Sequence, residues 1–376
     1  MNSRLLEYGK KVSSTELISI ITHIFKVNND LSHLGQKGTP ICIWGTHGLG
    51  KTQIVRDFAS SKKWKFAYVA PAQFEEMGDL HGMPTIVDPE VGIIGDEYTV
   101  YSPPDWVPRE EGPGILLLDD INRADDRILR GCMQLLQNFE LTSWKLPPKW
   151  QIVVTANPEG GDYSVTPMDG AMLTRMMHIT LKFDAQEWAK WAYSANIDKR
   201  GISFVLTYPE LVNSERTTPR SLTQFFEAIK TIDDLKENQP LVEALALSAL
   251  DEITVSNFVL FVNDELIELI DPDEILGASD FTTIESKIES IAVDEYGAKR
   301  LDRLAVLCTR LFLKLTSEDY SIENHHPANL IRFLLMKSIP SDLLMGFYMD
   351  LKQHGSNEVK DMLRDEKLAK RLLSNL

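Results

Sequence analysis

The sequence predicts an α/β fold: a parallel sheet with crossover helices built around a phosphate-binding loop, then a helical lid and a C-terminal helical extension. Three observations carry this. The string Gly45-Thr46-His47-Gly48-Leu49-Gly50-Lys51-Thr52 follows the apolar run Ile41-Cys42-Ile43-Trp44 directly and precedes a helix-forming stretch, the strand–loop–helix setting that a G-x-x-x-x-G-K-[ST] string needs. The run Gly114-Ile115-Leu116-Leu117-Leu118 ends in Asp119-Asp120, a buried strand that delivers carboxylates at its end. Strand and helix patterns alternate up to about residue 183 and only helical patterns follow, which argues for a parallel sheet followed by helical segments.

In chain order, Leu17, Ile18, Ile21, Ile24 and Phe25 recur at helical spacing and predict a helix over 15–27. Gly35, Gly38 and Pro40 mark a loop before the strand at 41–44, and a helix is expected over 53–61. Residues 65–70 read as a second strand. Residues 71–112 are rich in turn signals (Asp88-Pro89, Gly92, Gly95, Pro103-Pro104) and are expected to form an insertion or hairpin, not a core element. Strands follow at 115–118, 151–155 and 177–181. A helix over 126–139 carries Ile128, Leu129, Cys132, Met133, Leu136 and Phe139 on one face. Amphipathic helices are expected near 331–351 and 359–373, the latter with Glu358 at its start and Lys370 and Arg371 at its end, as the helix dipole favours. The domain expectation is an α/β nucleotide-binding domain over 1–183, a helical lid over 184–255 and a C-terminal helical domain over 256–376. No internal repeat is visible.

A chain of 376 residues buries enough surface for at least two domains. Thirty-nine Lys and Arg against 55 Asp and Glu give a net charge of −16, which argues against a dedicated nucleic-acid binder because phosphate contacts need clustered cations. Cys42, Cys132 and Cys308 lie far apart without metal-ligand spacing and are expected to be reduced core residues. With no apolar signal region and no run of membrane-spanning length, the expected location is cytoplasmic.

The chemistry of the glycine-rich string is the capture of a nucleoside triphosphate. Its glycines let successive backbone N–H groups turn toward phosphate, and the positive end of the following helix favours the same anion. The binding set is Gly45, Thr46, His47, Gly48, Leu49, Gly50, Lys51, Thr52 and Gln53. Lys51 reaches the β- and γ-phosphates and the Thr52 hydroxyl holds Mg²⁺. Asp119 at the end of its buried strand holds the same metal, and Asp120 orients or deprotonates the attacking water. His47 fills the loop. His325-His326 has no Cys or carboxylate partner at ligand spacing and reads as a solvated loop. Trp188 and Trp191 read as packing residues of the first lid helix. Residues 264–295 hold eleven Asp or Glu against one Lys, a pattern that usually marks a solvated helical face.

The block Asp119-Asp120-Ile121-Asn122-Arg123-Ala124 resembles the D-E-I-N-R-A block of MoxR-type AAA+ ATPases. Further similarities follow in that family's order: Leu80-His81-Gly82-Met83-Pro84, Val153-Val154-Thr155-Ala156-Asn157-Pro158, Ala171-Met172-Leu173-Thr174-Arg175-Met176 and Thr218-Pro219-Arg220-Ser221. They span roughly residues 40–230 and make the predicted core an AAA+ core. The resemblance implies that Asn157 is the first sensor, placing the lytic water or reading the γ-phosphate. It implies that Arg175 is an arginine finger reaching a neighbouring subunit's nucleotide, and that Arg220 is the second sensor on the lid. Arg123 is either an interface residue or an exposed helix-start charge. The nucleotide is then expected between core and lid, with ATP and Mg²⁺ as the bound species.

A finger requires a ring, expected as a hexamer. Such a ring remodels or matures a protein partner, and the resemblance implies one with a von Willebrand factor A-like domain. Its pore-facing surface is expected from the 73–101 insertion and the 139–147 hairpin, with Trp144 near the hairpin's tip and Met83 and Trp144 as the positions whose substitution tests it. Two departures stand out. Asp120 replaces the family's Glu, withdrawing the carboxylate by roughly 1.5 Å, a displacement that can cost about a hundredfold in rate. Thr174 replaces the acid before the finger arginine. Two rival readings follow: a nucleic-acid-dependent NTPase motor, or an ATP-binding assembly scaffold with little hydrolysis.

Overall fold

The computed structural model describes residues 8–87, 98–160, 164–212, 214, 216–263, 270–293, 299–317, 320–323 and 325–373. The chain divides into two compact units, Met1–Asp184 and Ala185–Leu376.

The strands of the first unit are β1 (Lys10–Val12), β2 (Ile41–Trp44), β3 (Lys65–Val69), β4 (Met83–Val87), β5 (Tyr98–Ser102), β6 (Gly114–Leu118), β7 (Trp150–Ala156) and β8 (Met177–Leu181). Six of them form one sheet in the order β1-β8-β2-β7-β6-β3, and every pairing in it is parallel. β4 and β5 form a separate antiparallel hairpin. Its helices are α1 (Ser14–His33), α2 (Lys51–Ser61), α3 (Met77–His81), α4 (Asp126–Asn138) and α5 (Gly170–Leu173).

The sheet is buried on both faces, which is why β2 and β6 are uninterrupted apolar runs with no polar alternation. Ile41, Ile43, Ile115, Leu117 and Val153 pack with Leu17, Ile21 and Phe25 of α1 and Val55 and Phe58 of α2. Their sequence neighbours Cys42, Trp44, Leu116, Leu118, Ile152 and Val154 point the other way and pack with Leu80, Ile128, Leu129, Cys132, Leu135 and Leu136. Each fully buried Leu, Ile or Phe in these layers contributes about 1.5–3 kcal/mol of transfer free energy. The ends of the helices are sealed locally. Ser13 and Glu16 form a capping box on α1, and the Asp125 carboxylate accepts from the Ile128 N–H at the start of α4.

Several expectations are corrected here. β1 has no counterpart in the sequence reading, because a three-residue edge strand with only Val12 buried carries no pattern. Within 71–112 the hairpin is present, but the segments flanking it belong to the core: Leu80 is fully buried, and the Trp106 indole donates to the Asp79 carbonyl at 3.1 Å. The turn signals Asp88-Pro89, Gly92 and Gly95 lie outside the described residues. Gly82 has φ +96°, and a Cβ there would sit 2.0 Å from the Ser102 carbonyl, so only glycine closes the base of the hairpin.

Met83 is exposed, but Trp144 is not the pore-facing side chain expected. It is 7 % exposed, donates its indole N–H to the Leu80 carbonyl at 3.1 Å and meets Trp106 edge-on. On α4, Leu135 replaces Met133 and Phe139 on the buried face. Phe139 ends the helix in a left-handed conformation and both it and Met133 are only partly buried.

In the second unit the described elements are helices, with one isolated antiparallel bridge between Val293 and Lys299. They are α6 (Ala185–Ser194), α7 (Lys199–Thr207), α8 (Pro219–Ile229), α9 (Gln239–Ala249), α10 (Glu252–Asn263), α11 (Pro272–Gly277), α12 (Phe281–Ile291), α13 (Leu301–Leu315), α14 (His326–Leu334), α15 (Ser341–His354), α16 (Asn357–Met362) and α17 (Glu366–Leu373). Aromatic rings hold α6, α7, α8 and α10 together: Trp188 lies against Phe226, and Phe204 and Phe225 meet Phe258 edge-on.

His326 corrects another expectation. It opens α14, with Pro327 in the first helical turn, is 6 % exposed, and lies 3.0 Å from the Tyr320 hydroxyl through Nδ1. The amphipathic stretch at 331–351 is interrupted between the end of α14 at Leu334 and the start of α15 at Ser341, with Pro340 as the N-cap residue of α15. Among the described residues the acidic run stays largely at the surface, as a solvated face does, and pairs with lysines of its own unit. Asp271 pairs with Lys199 (3.0 Å), Asp273 with Lys314 (2.6 Å), and Glu274 with Lys287. All three cysteines are buried and unoxidised, and burial pushes the Cys132 and Cys308 thiols up to about 12. No described helix is long and apolar enough to cross a membrane.

Candidate functional site

Because β2, β7 and β6 are adjacent and parallel, their carboxyl ends open on one edge of the sheet, where ligands of such sheets bind. Residues 45–50 leave β2 and lead into α2. Gly48 (φ +77°) and Gly50 (φ +83°) take left-handed conformations there, and Gly50 is the N-cap of α2. The helix starts at Lys51, two residues earlier than the sequence reading placed it. The N–H groups of its first turn, which an α-helix leaves without intrahelical acceptors, therefore begin at the loop itself.

Lys51 is 5 % exposed. Its ammonium donates to the Gly45 carbonyl (2.7 Å), the Thr46 carbonyl (3.2 Å) and Asn157 Oδ1 (3.2 Å). Thr52 donates its hydroxyl to Asp119 Oδ1 at 2.7 Å, and Thr155 donates to the same oxygen at 2.6 Å. The Tyr68 phenol donates to the other oxygen, Oδ2, at 3.2 Å. Burial and then the Asp119 charge push the Tyr68 pKa up. Asp120 is left-handed (φ 47°, ψ 46°), its N–H donates to Thr155 Oγ1 at 2.7 Å, and its carboxylate lies 3.4 Å from Arg123 Nε.

Asn122, fully buried, grips the end of β7. Its amide donates to the Asn157 carbonyl at 2.8 Å and its Oδ1 accepts from the Asn157 N–H at 3.0 Å. Asn157 is itself fully buried, and among the described residues its Nδ2 has no hydrogen-bond partner. A buried amide donor left open costs about 1–3 kcal/mol.

The structure therefore brings Lys51 to Asn157 and Thr52 to Asp119, two hydrogen-bonded pairs joined by the adjacency of Lys51 and Thr52, with Asp120 joined to the second through Thr155. Gln53 is exposed on α2 and donates to Asp57 at 2.7 Å, and His47 is exposed on the loop. Arg175 follows α5 and hydrogen-bonds Gln137 (3.0 Å) and the Ala171 carbonyl, not the Lys51–Asp119 cluster. Arg220 is exposed in the first turn of α8, in the second unit.

Sequence reasoning assigned no role to Tyr68, Thr155 or Asn122. Asn122 and Thr155 sit inside quoted motif blocks, which was the available signal. Tyr68 gave none, since a tyrosine in a strand reads as packing.

The sequence over residues 40–176 matches the family described as AAA domain (dynein-related subfamily). No curated protein matches the chain. Among solved structures, the Thermotoga maritima RuvB Holliday junction branch migration motor is similar at 14 % identity, over 93 % of this chain and 95 % of that one, with a TM-score of 0.36. A putative ATPase from Cytophaga hutchinsonii is similar at 13 % identity, over 95 % of this chain and 88 % of that one, with a TM-score of 0.30.

Proposed function

We propose that this chain is a MoxR-type AAA+ ATPase: it binds ATP with Mg²⁺ at the Lys51–Asp119 cluster, hydrolyses it, and works as a ring that remodels or matures a protein partner. The observation that carries the reading is the open Asn157 amide. It is a fully buried donor without a partner among the described residues, bonded through its other side-chain atom to the Lys51 ammonium. A γ-phosphate or the water that attacks it supplies the missing acceptor. The residues fit the bound species in other respects. Lys51 is held by neutral oxygens that phosphate oxygens can replace. The Thr52 proton is committed to Asp119, which turns the hydroxyl lone pairs toward a cation.

Thr52 and Asp119 would hold the metal, and Mg²⁺ held there would supply positive charge against the phosphate oxygens. The backbone of 45–52, with Gln53 behind it, binds the phosphates at the N-terminus of α2. Asp120 takes the proton of the attacking water, and Asn157 orients that water. Arg175 is assigned to the neighbouring subunit's nucleotide. Its partly exposed position beside Gln137 suits a residue that acts outside its own chain. Arg220 is the lid arginine by its place in the Thr218-Pro219-Arg220-Ser221 block. The ring (a hexamer), the partner with a von Willebrand factor A-like domain and the cytoplasmic location rest on the MoxR resemblance.

The test is ATP binding and hydrolysis by the purified chain with Mg²⁺. Lys51→Ala should lose both. Asp120→Asn should keep binding and lose hydrolysis by about 10²–10⁴-fold, the range of a general base. A wild-type chain that binds no ATP, or an Asp120→Asn chain that hydrolyses at the wild-type rate, contradicts the reading.

A further inference from the structure

The ATPase reading gives Asp119 a metal-binding role and leaves Tyr68 with none, yet Tyr68 touches that carboxylate. An ionised carboxylate offers about four acceptor positions, two on each oxygen. Thr52 and Thr155 fill both positions on Oδ1 at 2.7 and 2.6 Å. Tyr68 takes one position on Oδ2. Among the described residues this leaves Asp119 a single open position, on Oδ2.

The grip comes from both sides. β6 pairs with β3, which carries Tyr68, and with β7, which carries Thr155. The terminal torsion of an aspartate is broad and nearly two-fold and turns both oxygens together, so the two hydroxyls on Oδ1 and the phenol on Oδ2 set the plane of the carboxylate jointly, and the phenol also fixes which position on Oδ2 stays open. Tyr68 is 41 % exposed. A phenol in that position can satisfy itself with water, and its bond to Oδ2 is therefore not forced by burial.

We propose that Tyr68 is a positioning residue for the metal site: its phenol turns the Asp119 carboxylate so that one defined lone pair on Oδ2 faces the bound Mg²⁺. This rests on the ATPase reading, and it adds a residue to the site from a strand that the nucleotide motifs do not include.

The variant is Tyr68→Phe, which keeps the ring and removes the hydroxyl. The probe is adenylyl imidodiphosphate, titrated into wild type and variant with Mg²⁺ and again with EDTA. The expected result is that the affinity gained on adding Mg²⁺ falls about three- to tenfold in Tyr68→Phe, the range of one solvent-accessible hydrogen bond, while affinity in EDTA is unchanged. An unchanged Mg²⁺ gain overturns the assignment. An equal loss with Mg²⁺ and with EDTA also overturns it, because that is the signature of general damage to the loop. A wild-type chain with no nucleotide affinity in either condition overturns the ATPase reading itself, so the wild-type arm separates the two failures.

Discussion

Asp120 sits in a left-handed backbone, where aspartate and asparagine are enriched several-fold and longer side chains pay about 1–2 kcal/mol. This offers a physical reason for Asp where the resembling family carries Glu: the turn that leaves β6 tolerates the shorter acid. Asp120→Glu should therefore lower the melting temperature by about 2–4 °C, the shift that 1 kcal/mol produces in a domain of this size. Differential scanning calorimetry checks it, and an unchanged melting temperature would remove the explanation. The Arg123–Asp120 pair spans 3.4 Å between side chains 45 % and 34 % exposed. A pair so open to solvent is worth at most about 1 kcal/mol. Arg123→Ala should change the ATPase rate by no more than about fivefold, measured at saturating ATP. A motif identifies which acid stands at the strand end, but the left-handed turn that selects it appears only once the backbone is seen.

Elements were legible wherever burial wrote a repeating pattern. The strands β2, β6, β7 and β8 carry short, largely apolar runs, and the helices α1, α2 and α4 carry enough apolar positions to set a helical period. β1 does not, and Trp144 was misplaced because a tryptophan near a turn looks like an exposed tip when its partners, Leu80 and Trp106, are distant in sequence. Trp144→Ala should cost about 3–5 kcal/mol, read as a loss of folded protein in urea, not as a selective loss of partner binding.

In the second unit, the start of α10 is tied to the segment that leads into α8. Asp251 accepts from Ser214, from Thr217 Oγ1 (2.5 Å) and from the Thr254 N–H (3.0 Å). Burial pushes its carboxyl up, but these hydrogen bonds outweigh it and bring the pKa to about 2 from an ordinary 3.8. The folded state thus binds this proton less readily than the unfolded state. The stabilisation is present above pH 4 and disappears as pH falls toward 2. Allowing for solvent screening at a partly exposed group, it is on the order of 1 kcal/mol. Asp251→Asn should unfold more easily than wild type at pH 7, with the gap closing below pH 4. A gap that is constant with pH would show that the network contributes packing and not charge.

For the whole molecule, the site's parts come from strands far apart in sequence, and it was legible because the parallel order β2-β7-β6 brings three motif ends to one edge. Lys51, Thr52, Asp119 and Asn157 announced themselves by motif, while Tyr68 and Asn122 depend on which strands and loops become neighbours. Arg175 is the residue whose proposed role lies beyond one chain. Arg175→Ala should keep ATP affinity and lower hydrolysis by about 10³-fold or more, the scale of an arginine finger. With a net charge of −16, hydrolysis should not depend on DNA or RNA.

The most direct test of the account is ATP hydrolysis per chain as a function of protein concentration, with Lys51→Ala as the blank. The account predicts a rate above the blank that rises steeply with concentration, because each site is completed by a neighbouring copy's Arg175. A rate equal to the blank at every concentration would contradict it.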